Sequence, residues 1–253
     1  MIRPSLLRPS RLRVPRFRVP LFLDLVIRTA SRWRLVVLAT LVVSATCGSL
    51  VSQQAAPAVV TFTLDFPESN PEHYTIAVNA DGHARYECTG KVAQDSEAEA
   101  YRAEFQVSAA NRERIFNWAR QAHYFAGNID SGNRKLASTG AKLLSYQDGQ
   151  RSTTARYNYS NLAAVQQLTA LFQNMAATLE YGWRLAYYHR YQKLALDDEL
   201  KRMEAQARNN ELSEIQGVAP ALQEIVDDAS VINVVRARAK GLLQMRSGAG
   251  AGH

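Results

Sequence analysis

The middle of the chain joins a segment of alternating apolar and polar residues to a segment of helical spacing. Residues 101–107 place an apolar side chain at every second position with charged or amide side chains between, which is the period of a strand with one solvated face. Over residues 109–125 the apolar positions change to helical spacing, and Ser108 stands between the two as a suitable N-cap. The sequence therefore predicts a strand followed by a helix, each with a single apolar face.

The same alternation predicts further strands on either side. They cover residues 58–66, 73–79, 83–89, 142–147 and 150–159. In the last two, Leu143 and Leu144 compete for the inward face, which leaves the register of that hairpin open. Because the strands are connected by hairpins or by one helix, an antiparallel sheet of five or six strands is favoured.

The hairpin around Gly82 allows its register to be predicted. A two-residue loop would pair Val78 with Arg85 and so set an apolar residue beside a charge. A three-residue loop with Gly82 in the left-handed conformation pairs Val78 with Ala84 and keeps both faces consistent. We therefore predict the three-residue loop.

From residue 160 onward the pattern is helical. Ser160 is predicted to begin a helix over residues 160–179, and Gly182 to break or kink the helical segment after it. Further helices are predicted over residues 183–208, 219–228 and 231–244. The predicted fold class is α+β, an antiparallel sheet packed by helices and followed by a C-terminal helical extension.

The predicted divisions of the chain follow from these elements. They are an Arg-rich leader at 1–52, a sheet domain at 58–160, the helical extension at 161–245 and a disordered tail at 246–253. The formal net charge of +7 is not spread over them evenly, because residues 1–34 carry +8 and the remainder −1. The folded part therefore has no electrostatic basis for binding nucleic acid.

An uncharged apolar run at residues 35–51 follows the basic leader. This order is typical of a cleaved secretory signal or of an uncleaved membrane anchor, and the run is near the lower length limit for a spanning helix. Lipid attachment at Cys47 is a third interpretation. We expect an exported protein of the periplasm or cell envelope, anchored to the membrane by residues 35–51 if the segment is retained.

Cys47 and Cys88 are the two cysteines of the chain. Cleavage of the leader would leave one of them, which cannot form an internal disulfide. Cys88 lies on the apolar side of a predicted strand, so we expect it to be buried and inert.

Two segments resemble known types of structure. The hairpin at residues 74–86, an alternating strand, Asp-Gly and a strand carrying Tyr-Glu, resembles the opening of small exported bacterial α+β domains of unknown function. Residues 218–228 and 235–243 are similar to one HEAT-type helix pair. The resemblances imply an α+β domain with a packed helix pair, and they imply no activity.

Motifs for catalysis, metals or cofactors are missing from the sequence. The predicted register sets His73 and His83 about 20 Å apart along the hairpin, too far to share a metal ion. No zinc-protease, calcium-loop, nucleophile-elbow or phosphate-loop pattern occurs. We therefore predict no cofactor, no metal site and no catalytic residue.

The densest unusual feature is an aromatic and basic stretch at residues 181–191. Aromatic and arginine residues are typical of protein interfaces, and they also stack on sugars. The alternative is that Trp183, Leu185 and Tyr188 pack in the core. The candidate interaction surface consists of Tyr181, Trp183, Arg184, Tyr187, Tyr188, His189, Arg190 and Tyr191.

These observations favour a non-catalytic exported envelope protein that acts through binding. Its predicted partner is an unidentified protein or a second copy of itself, with the membrane as a further contact if the leader is retained. The alternative is an envelope hydrolase or ligand-binding enzyme. It requires a pocket that gathers groups such as His123, Asp130, Ser131 and His189. The end of the first helix at residues 123–125, together with the loop at 127–140, is where we expect a pocket.

Overall fold

The computed structural model describes residues 57–67, 69–133 and 135–245. They contain one antiparallel sheet in the strand order β4-β3-β2-β1-β5-β6. The strands are β1 (Val59–Asp65), β2 (His73–Asn79), β3 (His83–Lys91), β4 (Ala98–Gln106), β5 (Ala141–Gln147) and β6 (Ser152–Tyr157). The predicted fold class is confirmed.

One face of the sheet is buried because apolar side chains alternate along every strand. In β1 the inward positions are Val60, Phe62 and Leu64, and equivalent positions of the other strands continue the row. The opposite face carries polar and charged side chains such as Arg85 and Glu104, whose charged groups lie 3.2 Å apart. The sheet therefore has a single core-facing side among the described residues.

The predicted register of the β2–β3 hairpin is confirmed. Val78 pairs with Ala84, and Gly82 has a φ of +90°, the left-handed conformation that the three-residue loop requires. In the β5–β6 hairpin Leu144 points inward and Leu143 outward, which resolves the register that the sequence left open.

Five α-helices occur in the described residues. They are α1 (Ala109–Gln121), α2 (Ala163–Tyr191), α3 (Leu196–Arg208), α4 (Ala219–Asp227) and α5 (Asn233–Gln244). The buried residues of the sheet and of these helices form one continuous hydrophobic core. The division between a sheet domain and an extension at residue 160 stays a prediction.

α1 begins at the predicted cap. The hydroxyl of Ser108 accepts a hydrogen bond from the backbone N–H of Asn111. Glu214, from the connection between α3 and α4, adds a buried carboxylate that accepts bonds from the Ser108 N–H and hydroxyl and from the Asn111 side chain. The start of α1 is therefore fastened to the helical extension.

α2 crosses the sheet from β6 to β4. Its Thr169 contacts Tyr157 of β6, and its Phe172 ring stacks on Phe62 of β1 at 5.4 Å between centroids. Farther along, the ring of Trp183 stacks on Tyr101 of β4 at 4.9 Å. One long helix thus covers most of the width of the buried face.

The predicted break of this helix at Gly182 is wrong. α2 continues through Gly182, and a Cβ atom built there would lie 2.4 Å from Cγ1 of Val218. The glycine therefore allows a close helix contact and is not a helix breaker in this position. The predicted continuous helix 183–208 is also wrong, because α2 ends at Tyr191 and α3 begins at Leu196.

Two predicted helix boundaries differ from the structure by a few residues. Ser160 does not cap α2; its hydroxyl accepts from the N–H of Leu162, and Leu162 is the N-cap without a side-chain hydrogen bond. α1 ends at Gln121, four residues before the predicted end, and a turn with positive φ at His123, Tyr124 and Phe125 follows. Three successive left-handed residues without glycine are unfavourable, and the burial of Phe125 helps to hold them.

Cys88 is buried, as predicted, and it is a free cysteine. None of the described helices is both long and apolar enough to span a membrane. The apolar run at residues 35–51 and the predicted tail at 246–253 lie outside the described residues.

Candidate functional site

The C-terminal end of α2 extends past the edge of the sheet. β4 is an edge strand, and Trp183 is the α2 residue that stacks on it. Tyr187 and Tyr191 follow Trp183 at intervals of four residues, on the side of the helix that farther back contacts the sheet. Because the sheet ends at β4, this side of the last two turns lies beyond it. Tyr191 is 63% exposed.

The eight residues of the candidate interaction surface do not share one face of α2. Successive residues are about 100° apart on a helix, so an unbroken stretch of eleven points in every direction. Tyr181 is buried; Trp183, Arg184, Tyr187, Tyr188 and His189 are half-buried; Arg190 and Tyr191 are exposed. The structure brings Tyr187, Arg190 and Tyr191 together at the projecting end, and whether this end binds a partner stays a prediction.

Arg184 lies on the inner side of this stretch, in a network of charges. Its Nε donates to Glu199 at 2.6 Å, and its guanidinium lies over the Tyr181 ring at 4.6 Å from the centroid. Glu199 is only 2% exposed and also pairs with Arg202. These groups and Lys91 line a shallow cleft of about 480 Å³. Since each buried charge in it faces an opposite charge, the network holds α2 against α3.

Glu180, one helical turn before Arg184, carries a carboxyl group that is mostly buried, with 16% of its side chain exposed. The Tyr86 hydroxyl donates to it at 3.5 Å, and the nearest Arg184 nitrogen is 3.7 Å away. Loss of solvent raises the pKa of Glu180 to about 7, because neither long contact compensates for burial of the charge. This carboxyl group therefore exchanges its proton near neutral pH.

His189 is engaged in a different cluster. Its Nε2 lies 2.9 Å from Oδ2 of Asp228, and Lys193 donates to the same oxygen at 2.6 Å. The ammonium of Lys193 and the hydrogen bonds from Ser230 hold the pKa of Asp228 below its usual range. The cluster connects the end of α2 to the loop between α4 and α5, so the contacts of His189 are structural.

The four groups named for an enzyme site are not gathered in one pocket. Asp130 accepts from the backbone N–H of Asn158 at 2.6 Å, and Ser131 follows it at the C-terminal end of β6. His123 is exposed near Thr153, roughly 17 Å away at the rise of a β-strand, and His189 lies in the helical extension. In the described ranges no group of three His, Cys, Asp or Glu residues is placed to hold a metal ion.

A cleft lies at the C-terminal end of the 127–140 loop, which contributes Thr139, and residues 123–125 at the predicted helix end do not line it. Its walls come from the loop, the end of β6 and the first turns of α2, and its volume is about 320 Å³. Lys142 lies in this cleft and was not singled out from the sequence. The sequence pattern could have indicated it, because Lys142 lies two and four positions before Leu144 and Tyr146, and alternate residues of a strand face the same side.

Comparison with known proteins gives no family and no function. No protein-family model matches this chain, and no curated protein sequence matches it at a significant level. A functional proposal therefore rests on the sequence and on the geometry.

Proposed function

We propose that this is a non-catalytic, exported cell-envelope protein that binds another protein through the projecting end of α2. The observation that carries the proposal is the position of Tyr187 and Tyr191, on the core-facing side of a helix that has run past the edge strand. We call Tyr187, Arg190, Tyr191 and Leu194 the α2-end surface.

The chemistry of the α2-end surface supports protein binding. Tyrosine and arginine are enriched where protein interfaces concentrate their binding energy. Leu194 is 97% exposed in the short turn between α2 and α3. Lys193 contacts Ser230 and so brings the exposed Ile232 to the same end of the helical extension. Apolar side chains at this end lose water when a partner covers them.

Export is supported by the sequence of the leader. A basic segment followed by the uncharged residues 35–51 is the order of a secretory signal or anchor. The full chain should be expressed in a bacterial host and fractionated, and the N-terminus of the product sequenced. A mature N-terminus after residue 45 in the envelope fraction supports a cleaved signal, an intact leader in the membrane fraction supports an anchor, and an intact chain in the cytoplasm contradicts export.

Binding is tested with the full chain and a double variant, Tyr191→Asp with Leu194→Asp. Two charges in the α2-end surface should abolish self-association in sedimentation experiments, or capture of a cross-linked partner from envelope extracts. The matched control is Leu136→Asp, which places a charge at an exposed apolar residue of the 127–140 loop. It should bind as the wild type does.

Two results would contradict the proposal. One is a wild-type chain that stays monomeric and captures no partner. The other is a partner that the double variant and the wild type retain equally, because binding would then use another surface.

The cleft beside the 127–140 loop favours a second role in ligand binding. Its volume of about 320 Å³ is at the lower end of the range for small-molecule sites. This role does not depend on the α2-end surface.

A further inference from the structure

The cleft lies where three segments meet. Thr139 and Lys142 form one wall, residues 157–160 form the second, and α2 forms the third with Gln166 and Gln173. Val165, Ala170 and the ring of Tyr157 supply apolar surface inside it. The cleft therefore combines an apolar body with polar groups at the rim, as small-molecule sites do.

Lys142 brings a charge into this cleft. The side chain is buried, with 4% of the residue exposed, at the start of β5. Its ammonium donates to the Thr139 hydroxyl at 2.7 Å and to the carbonyls of Asn158 at 3.1 Å and Thr139 at 3.2 Å. A fourth contact, 3.4 Å to the Gly140 carbonyl, is long. All four acceptors are neutral oxygens.

No carboxylate of the described residues compensates the charge of Lys142. The cleft is lined by one basic residue and by no acidic residue. Asp130 lies on the other side of Asn158, where its two oxygens accept from the N–H groups of Gly132 and Asn158. Burial lowers the pKa of Lys142, as expected for an ammonium without an opposite charge. An anion in the cleft would supply the missing charge.

Two more features at the mouth favour a negative ligand. α2 is 29 residues long and begins here without a side-chain cap, so the positive end of its dipole is not offset. The Tyr159 hydroxyl accepts from Gln166 at 2.8 Å, which leaves its own hydrogen available for donation. Tyr159 is exposed and can reach a ligand at the rim.

We propose that this cleft binds a small monocarboxylate with an apolar body, with the carboxylate at the Lys142 end. Because an ammonium has three N–H donors, a ligand oxygen would take the place of one neutral acceptor, such as the Thr139 carbonyl at 3.2 Å. The apolar body would then lie against Val165, Ala170 and the Tyr157 ring. This site is independent of the α2-end surface and of any partner bound there.

The test compares octanoate with octanamide, which has the same chain and no charge. Calorimetry and NMR titration of the full chain at neutral pH should give a dissociation constant of about 0.1–1 mM for octanoate. Octanamide should bind at least about tenfold more weakly, because it gains nothing from the Lys142 charge. The shifted NMR signals should include those of Tyr159 and Gln166.

Variants assign the preference to the cleft. Lys142→Met, a neutral side chain of similar length, should bind octanoate and octanamide equally. Gln173→Glu changes an exposed wall position and should also remove the preference for octanoate, which keeps the test decisive if Lys142→Met does not fold. Lys91→Met removes an exposed lysine elsewhere and should bind as the wild type does.

Four outcomes would overturn the proposal. The first three are equal binding of the acid and the amide by the wild type, an unchanged preference in Gln173→Glu, and no octanoate binding at about ten times the expected dissociation constant. A preference that Lys91→Met removes would also contradict it, because the anion would then bind the other cleft.

Discussion

Near the start of α2 the buried Lys142 contacts neutral oxygens, whereas near the end of the same helix the half-buried Arg184 contacts carboxylates. Burial of a charge is unfavourable in both places. At Arg184 the free-energy cost of burying the charge is offset inside the protein by the carboxylate of Glu199. At Lys142 it is offset only by the dipoles of neutral hydroxyl and carbonyl groups. The difference separates a charge that stabilises the fold from a charge that is available to a ligand.

The two helix starts near the sheet differ in the same way. α1 begins at Ser108 and Glu214, a hydroxyl and a buried carboxylate. α2 begins at Leu162, with no side chain that accepts from its first N–H groups. A carboxylate of the protein therefore stands at the start of α1, and a ligand carboxylate is the equivalent group that we propose beside the start of α2.

The largest effect is expected from removing a charge at the Arg184 end. Glu199→Gln replaces the charged partner of Arg184 at 2.6 Å with a neutral amide and should lower the free energy of unfolding by roughly 2–4 kcal/mol. The estimate is below that for a fully enclosed pair because a quarter of the Arg184 side chain is exposed. Urea denaturation at pH 7 measures the change.

Urea denaturation of Lys142→Met at pH 7 gives the matching test at the start of α2. Here the free energy of unfolding should change by no more than about 1 kcal/mol, because the lost hydrogen bonds are offset by the removal of an unpaired buried charge. Thr139 is exposed, so water can satisfy its hydroxyl and carbonyl groups. A loss as large as that of Glu199→Gln would mean that Lys142 is a structural charge, and the contrast between the two ends would not hold.

The pH dependence of stability tests whether the charge of Glu180, near the end of α2, is compensated in the fold. Its pKa is about 7 in the fold against an ordinary value of 4.5, so the protonated group is favoured in the folded state. The stability that the protonated Glu180 contributes to the fold is therefore fully present below pH 4.5 and is lost as the pH rises through 7. Glu180→Gln removes this loss and should raise the free energy of unfolding at pH 8 by roughly 1–3 kcal/mol relative to wild type, with little difference at pH 4.5.

Urea denaturation of both proteins across this pH range measures the effect. Glu97→Gln, at an exposed loop position, is the matched control and should follow the wild type within about 0.5 kcal/mol. If Glu180→Gln destabilises the protein at pH 8, the carboxylate is compensated by Arg184 after all. The charge network at the end of α2 would then include Glu180 as a full member.

Local patterns were enough to predict the sheet, and distant contacts explain what was missed. The pairing of Val78 with Ala84 follows from alternation and one turn, both of which lie within a few residues. The role of Gly182 depends on Val218, which is 36 positions later and has no signature near the glycine. Lys142 was missed for a different, local reason, because the alternation in this strand did not show whether Leu143 or Leu144, and with it Lys142, faces inward.

A further prediction compares two helix glycines, one in close contact and one with no atom near its Cβ position. Gly182→Ala gains about 1 kcal/mol of helix propensity, but its Cβ would meet Val218 at 2.4 Å, and overpacking of that kind costs about 1–3 kcal/mol. Gly241→Ala in α5 has the same gain, and its Cβ meets no atom within 4 Å. Thermal or urea denaturation should therefore show a loss of up to about 2 kcal/mol for the first and a gain of about 0.5–1 kcal/mol for the second. Equal gains at both positions would show that α2 moves away from Val218 easily. In that case the charged contacts of Arg184 and Glu199, and not close packing at Gly182, would hold the end of α2 against the helical extension.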